Sequence, residues 1–411
     1  MYRTTFIRDE RGNISILFGL FLTPLIAFIG VAVDYSQLIR AKMQLQAATD
    51  AAVLTAATHS TATDEARISE ALAVFKGNLE STPLSGVKPT ITVDGLNVTA
   101  SATHAQQTPF MNIMGFHTIN VGVQATASES KPLAACVLAL NPSMSGALSL
   151  VGNTKLSADC WVWVNSTSDS SITTVGASSG TAAGFCTAGQ AFGSNLTPAA
   201  RSCRVLADPF VNLSAPSSAK STCEYNNTSL QSGTYTLSPG VYCGGLTLRP
   251  HAQVTFNPGI YVIEGAPFEI QAQSSATGRG VLFYFTGVGT GLIVRGGGSA
   301  DFTAPTTSNL SSTDSSLAGF LFIQDRTSNP GGSVTIQGGG TVTFQGVLYT
   351  PTWSVQVGGN GDLNAKSNFF VMIADYFQIW GNGVVNVASN ASSAGLINPM
   401  PPVFTGAVLT H

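Results

Sequence analysis

Between Gly12 and Val33 the chain carries no charged residue, and Ile14–Val33 supplies 20 consecutive residues, ISILFGLFLTPLIAFIGVAV. As a helix rising 1.5 Å per residue, that stretch covers the ~30 Å hydrocarbon core of a bilayer. It exceeds the apolar region of about 7–15 residues found in a cleaved signal peptide, and no small-x-small site closes it. A membrane-spanning helix is therefore the first expectation, with Ile14, Leu17, Phe21, Pro24, Ile29 and Val33 among its anchoring side chains.

The helical pattern does not stop at the end of the apolar run. From Ala32 to Thr58 there is neither Gly nor Pro, and Leu38, Leu45, Ala48, Ala52 and Ala56 fall near helical spacing. A small-residue face of this kind packs closely, either on helices of other proteins or on this chain's own next domain. Both readings stand at this point.

Orientation follows from two features taken together. Arg3, Arg8 and Arg11 precede the span and Arg40 and Lys42 follow it, so flanking charge favours a cytoplasmic N-terminus only weakly. The six cysteines, Cys136, Cys160, Cys186, Cys203, Cys223 and Cys243, add the stronger argument. None forms a CxxC pair and the five histidines are scattered, which disfavours a structural zinc site and favours disulfides. Disulfides need the bulk of the chain outside the cytoplasm. Sequence alone leaves their connectivity open; pairing of neighbours (136–160, 186–203, 223–243) is the working expectation.

Arg11-Gly12-Asn13 before the span, Ala32-Val33-Asp34-Tyr35 at its exit, and Leu45-Gln46-x-Ala48-x-Asp50-Ala51-Ala52 on the helix carry a family resemblance. The segment Arg11–Ala57 resembles the N-terminus of TadE/TadG-like Flp (tight-adherence) pilus-assembly proteins. The resemblance implies a bacterial inner-membrane anchor with the remainder periplasmic, and pilus-assembly or pseudopilin proteins as partners. It also implies that Asp34, Tyr35, Leu45, Gln46, Asp50, Ala51 and Ala52 form a helix interaction motif. Processed pilin-like members carry a Gly cleavage site followed by Glu at the fifth mature position. Counting from Gly12, that position is Leu17 here, so a permanent anchor is expected rather than a processed one.

Beyond the anchor the chain reads as mainly β. Asp64–Glu80 predicts a second helix with Ile68, Leu72, Phe75 and Leu79 on one face. Alternating strands around Asp94-Gly95 follow, giving a small α+β unit over 61–133 after the helical segment 1–60. From residue 134 charges thin out and short apolar runs alternate with glycine clusters such as Gly296-Gly-Gly and Gly338-Gly-Gly. Ser238-Pro-Gly-Val-Tyr242 returns as Asn257-Pro-Gly-Ile-Tyr261. Repeats near 20 residues built from strands and turns suggest stacked coils. A right-handed parallel β-helix over 134–395 is the expected fold, with a β-sandwich as the alternative and 396–411 as a tail.

Composition excludes several functions. Only 9% of residues are charged, against roughly 25% in an average soluble protein, and 44% are hydrophobic. That is too apolar for a disordered chain, and a net charge of −3 without a basic run disfavours nucleic-acid binding. The acids after residue 134 are scattered, and only Glu264 and Glu269 lie close in sequence. Asp325-Arg326 reads either as a turn ion pair or as part of a site. Asn141-Pro-Ser143-Met-Ser145 resembles a metal-adhesion motif but begins with an amide instead of a carboxylate, and reads better as a turn. Gly176-Ala-Ser178-Ser-Gly180 lacks room for the helix that a nucleophile elbow requires. No catalytic residue, metal or cofactor is expected. Trp161, Trp163, Trp353, Tyr376, Phe377 and Trp380 could form a glycan-stacking platform if exposed, so an envelope or surface glycan is a possible partner and a carbohydrate-binding module the alternative function. A polysaccharide-active enzyme is the second alternative.

Overall fold

The computed structural model describes residues 13–58, 63–129, 133–220, 222–328, 332–364, 367–403 and 407–410. The chain divides into two compact units, Met1–Lys131 with Phe404–His411, and Pro132–Val403.

In the first unit a single helix, α1 (Asn13–Ala57), runs through Pro24 and unites the apolar stretch with its extension. A second helix, α2 (Asp64–Leu79), starts where the Thr63 hydroxyl accepts from the Ala66 amide at 3.3 Å. Three strands follow, β1 (Thr90–Asp94), β2 (Asn97–Gln107) and β3 (Thr118–Glu129), antiparallel and in sequence order. The first hairpin turns at Gly95-Leu96, where Gly95 takes φ +58°, a conformation a side chain disfavours. The fourth strand of this sheet is Ala407–Leu409, paired with β3 from the other end of the chain. The stretch expected as a tail, 396–411, is thus divided between the two units.

The small-residue stripe of α1 lies against this sheet. Leu45, Ala48, Ala52 and Ala56 are buried with Phe75 and Leu79 of α2 and with Val98, Ala100, Ala102, Val123, Ala125 and Ala127 of the strands. Of the two readings of that stripe, packing on the chain's own domain is the one the structure shows. The buried face of α2 is Arg67, Ala71, Phe75 and Leu79, one residue away from the expected Ile68 and Leu72. The reason is Arg67, which donates Nε to the Ala56 carbonyl at 3.2 Å and Nη1 to the Gly95 carbonyl at 2.7 Å. A cation there also complements the C-terminal end of α1.

Among the described residues, the strands of the second unit pair in parallel, as Gly240–Leu248 does with Gly259–Glu264. One turn of the coil consists of Gly259–Glu264, Phe268–Ile270 and Ser275–Arg279. Val281–Thr286, Leu292–Val294 and Ser299–Thr303 stack on those three in turn. Each of these strands thus pairs in parallel with the one three places further along the chain, within one large parallel-strand sheet. Buried aromatic side chains pack on one another along the unit, Phe256 edge-on to Phe302 at 5.5 Å between centroids, Phe302 stacked on Phe344 at 6.0 Å and Phe344 tilted against Phe370 at 5.9 Å. In the repeated Pro-Gly motif the Tyr242 hydroxyl donates to the Ser238 carbonyl at 2.7 Å, and the Tyr261 hydroxyl stands 2.8 Å from that of Asn257.

The coils do not stack in chain order. Phe370–Gly381, late in the sequence, pairs with Ala135–Ala139 and Leu148–Gly152, the earliest strands of the unit, and Val384–Val387 pairs with Lys155–Ala158. The chain therefore enters mid-stack and coils outward to Arg201–Ser202, which pairs on Gly184–Thr187. It then crosses back and restarts at Tyr225–Leu230, whose partner is Gly240–Leu248. A ladder of left-handed glycines marks one corner across this seam: Gly338, Gly359, Gly381, Gly152 and Gly176 each approach the glycine of the coil before. Asn360, Asn382 and Asn153 form an amide ladder beside it, at 2.9 and 3.4 Å.

The crossing segment is a strap tied to successive coils. Trp163 Nε1 donates to the Arg204 carbonyl at 2.9 Å, and Asn165 exchanges two hydrogen bonds with the Leu206 backbone. Asp208 takes both the Arg326 guanidinium and the Tyr349 hydroxyl, while the Phe210 ring meets Phe320 edge-on at 4.8 Å. Further along, the Ser217 amide and hydroxyl donate to Asp314 at 2.8 and 2.7 Å.

Candidate functional site

Among the described residues, the one helix long and apolar enough to cross a membrane is α1. Leu17, Phe21, Pro24, Ile29 and Val33 are exposed on it, Phe21 at 67%, whereas the buried stripe begins only at Ala41. Ile14 lies on the helix backbone, but its side chain falls outside the described residues. A helix apolar on every side in its first half and buried on one side in its second is suited to leaving lipid for a folded domain.

Asp34 sits at that transition and is fully buried. Its Oδ2 accepts from the backbone amides of Phe110 and Met111 at 2.9 and 2.7 Å, at the start of a 3-10 turn, Met111–Met114, in the β2–β3 loop. One turn earlier on the helix Gly30 is also buried, and a Cβ there would come within 2.7 Å of the Phe110 ring. The Gly30–Asp34 turn thus clamps a loop whose Phe110 lies 76 residues downstream of Asp34.

The other motif residues have distinct places. Gln46 donates Nε2 to Asp50 Oδ1 at 2.7 Å and lies 3.3 Å from the Gln124 carbonyl of β3, bracing helix to sheet. Leu45 and Ala52 are core, Ala51 and Asp50 half-buried, and Tyr35 exposed. Tyr35, Ile39 and Met43 form an exposed apolar line on the face opposite the core.

The remaining sequence candidates resolve into structural roles. Arg326 pairs with Asp208, not with its neighbour Asp325, because the strap brings Asp208 onto the coil. Asp325 instead accepts from Thr286 and Thr327 at 2.9 and 2.8 Å; burial raises its carboxyl, but these hydrogen bonds outweigh that and hold it below the usual range. Asn141 Oδ1 accepts from the Ser143 and Met144 amides at 3.2 and 2.8 Å, an Asx turn, while its Nδ2 donates to Asp375. Burial raises the Asp375 carboxyl, and the Asn141 hydrogen bond opposes the shift. Ser178 is buried between the strands Ile172–Gly176 and Ser179–Thr181, and a further strand, Gly184–Thr187, follows where an elbow would need a helix. Glu269 pairs with Arg295 at 2.9 Å, and Glu264 lies beside the Cys223–Cys243 bond. Those two sulfurs are joined to each other and offer no thiolate to a metal. Trp353 and Trp163 are fully buried, so the six aromatics do not form one exposed stacking surface.

The cysteines pair as sequence neighbours, Cys136–Cys160, Cys186–Cys203 and Cys223–Cys243. The first ties one coil to the next, and the other two stand where the coil breaks off and restarts around the strap.

These features define a chain with one membrane-length helix, a clamp at the end of its apolar run, and a large disulfide-bonded parallel coil. Residues 12–59, covering α1, match a family described as putative Flp pilus-assembly TadE/G-like. The match is confined to the N-terminal helix, which is long and apolar enough to anchor the chain in a membrane. No curated protein and no solved structure matches the chain.

Proposed function

We propose that the protein is a permanently anchored, non-catalytic component of Flp pilus assembly. The N-terminus is cytoplasmic, α1 crosses the inner membrane, and both units work in the periplasm. The family match over the anchor carries this reading, and the disulfides support a non-cytoplasmic location for the coil.

Contacts with pilus-assembly or pseudopilin helices fall to the exposed line of Tyr35, Ile39 and Met43, because the small-residue face is already covered by the protein's own sheet. The coil supplies a rigid, weakly charged surface of repeated strands, suited to holding a partner without chemistry. The test is deletion of the gene followed by measurement of sheared surface pili. Restoration by the wild-type chain, but not by an Ile39→Glu/Met43→Glu variant present at normal level, supports the reading. Normal pili in the deletion strain remove it.

A further inference from the structure

The β2–β3 loop is unusual for a hairpin connection. Such loops are ordinarily polar and rich in Gly, Asn and Asp. Here Phe110-Met-Asn-Ile-Met-Gly-Phe116 carries no charge and one amide. Its apolar side chains face outward: Phe110, Ile113, Met114 and Phe116 are all exposed, Ile113 at 88%. The loop is nonetheless well built. The Thr108 hydroxyl donates to the Phe116 carbonyl at 2.6 Å, the Phe116 amide to the Met111 carbonyl at 3.2 Å, and Gly115 closes the 3-10 turn at φ +90°. Outward apolar side chains on an ordered loop require something apolar to cover them.

The position of the loop says what that is. Asp34, directly after the apolar run, holds the loop there, and Gly30, inside the run, receives the Phe110 ring. A helix turn is about 5.4 Å of rise, so the loop lies at the depth where α1 passes from hydrocarbon to headgroups. Interfacial apolar groups settle about 5–10 Å into that boundary. Through the Phe110–Gly30 contact the apolar loop adjoins the apolar half of α1.

We propose that the β2–β3 loop is a second membrane contact, with Phe110, Ile113, Met114 and Phe116 seated in the leaflet from which α1 emerges. The inference rests on the reading of α1 as a membrane span. A helix held at one point can swing; a helix and a loop clamped together by Asp34 fix the tilt of the first unit against the bilayer. Two contacts joined by a buried carboxylate thus present the folded domain in one orientation.

The test uses the full chain in phosphatidylcholine–phosphatidylglycerol vesicles, with single cysteines at Ile113→Cys or Met114→Cys carrying an environment-sensitive fluorophore. The native cysteines are all paired and leave the label specific. Phe21→Cys marks the span. Leu96→Cys marks the opposite end of the same hairpin, about 35 Å away along the 11 residues of β2. Blue-shifted emission at 113 and 114, quenched by nitroxide lipids but not by aqueous iodide, with Leu96 showing the reverse, is the expected result. Iodide quenching at 113 equal to that at 96, while Phe21 is quenched by lipid, would overturn the loop contact and leave the span standing. Failure of lipid to quench Phe21 would overturn both. Protection at 113 from lipid and water alike would assign the loop to another protein surface, and the membrane contact would fall.

Discussion

Leu133 and Val403 donate to each other's backbone carbonyls, at 2.7 and 3.1 Å, so the coil starts and finishes at one point. In sequence the coil is an insertion between β3 and the strand Ala407–Leu409 that pairs with it. Domains whose ends meet are the ones most readily inserted into a host fold. The first unit therefore draws on segments from both sides of the coil, and the coil draws on neither.

Excising 132–403 and joining the flanks with a short Gly-Ser link should leave the first unit folded. Truncation at residue 131 should not be equivalent, because it removes the partner of Ala127–Glu129. Amide exchange at Thr126–Glu129 checks this: protection is expected in the excised chain and faster exchange in the truncated one.

Gly152 takes φ +100°, and a Cβ on it would lie 2.8 Å from the Gly381 carbonyl across the seam. Gly152→Ala should cost about 1–3 kcal/mol from backbone strain alone, with the clash adding to it. Gly297→Ala, at φ +80° with nothing within 4 Å, isolates the strain. Urea unfolding of the two variants should show the larger loss at Gly152; equal losses would remove the packing part of the argument.

Asp34→Ala should release the loop clamp, at a cost of about 1–3 kcal/mol for orphaned amide donors. Asp34→Asn keeps an acceptor oxygen and should lose less. Hydrogen exchange at the Phe110 and Met111 amides should rise strongly in the first variant and weakly in the second, with the rest of the sheet unchanged.

Asp314 ties the strap to the coil through Ser217 and also accepts from the Ser311 hydroxyl of its own loop. Burial raises its carboxyl, but those hydrogen bonds outweigh it and hold the group below the usual 3.8. A carboxylate with a depressed folded-state pKa contributes stability above its unfolded value and loses it as pH falls through the folded one. Asp314→Asn should therefore be less stable than wild type at neutral pH by about 1–3 kcal/mol. The gap should close below pH 3.8. A gap independent of pH would assign the loss to packing.

Local features were readable from the chain. Length and absence of charge reveal a helix fit to span a membrane, and the Pro-Gly-x-Tyr repeat and glycine clusters reveal stacked strands, because each is encoded within a few residues. The seam was not readable. The glycine corner at 152 looks like the one at 381, and nothing near either states that they are neighbours. Asp34 stood out through the family resemblance, but its partners are backbone amides, which carry no sequence signal. Arg67 carries no such signal either, because a helix face is read by its apolar residues, and a buried guanidinium bonded to two carbonyls breaks that rule.

The most direct test of the account is quantitation of sheared surface pili in a gene-deletion strain complemented with the full chain or with the chain lacking 132–403. Pili restored by the full chain alone, with both proteins at equal level in the membrane, are the expected result and would make the coil a working part of pilus assembly. Equal restoration by the excised chain would contradict a role for the coil, and undiminished pili in the deletion strain would contradict the account as a whole.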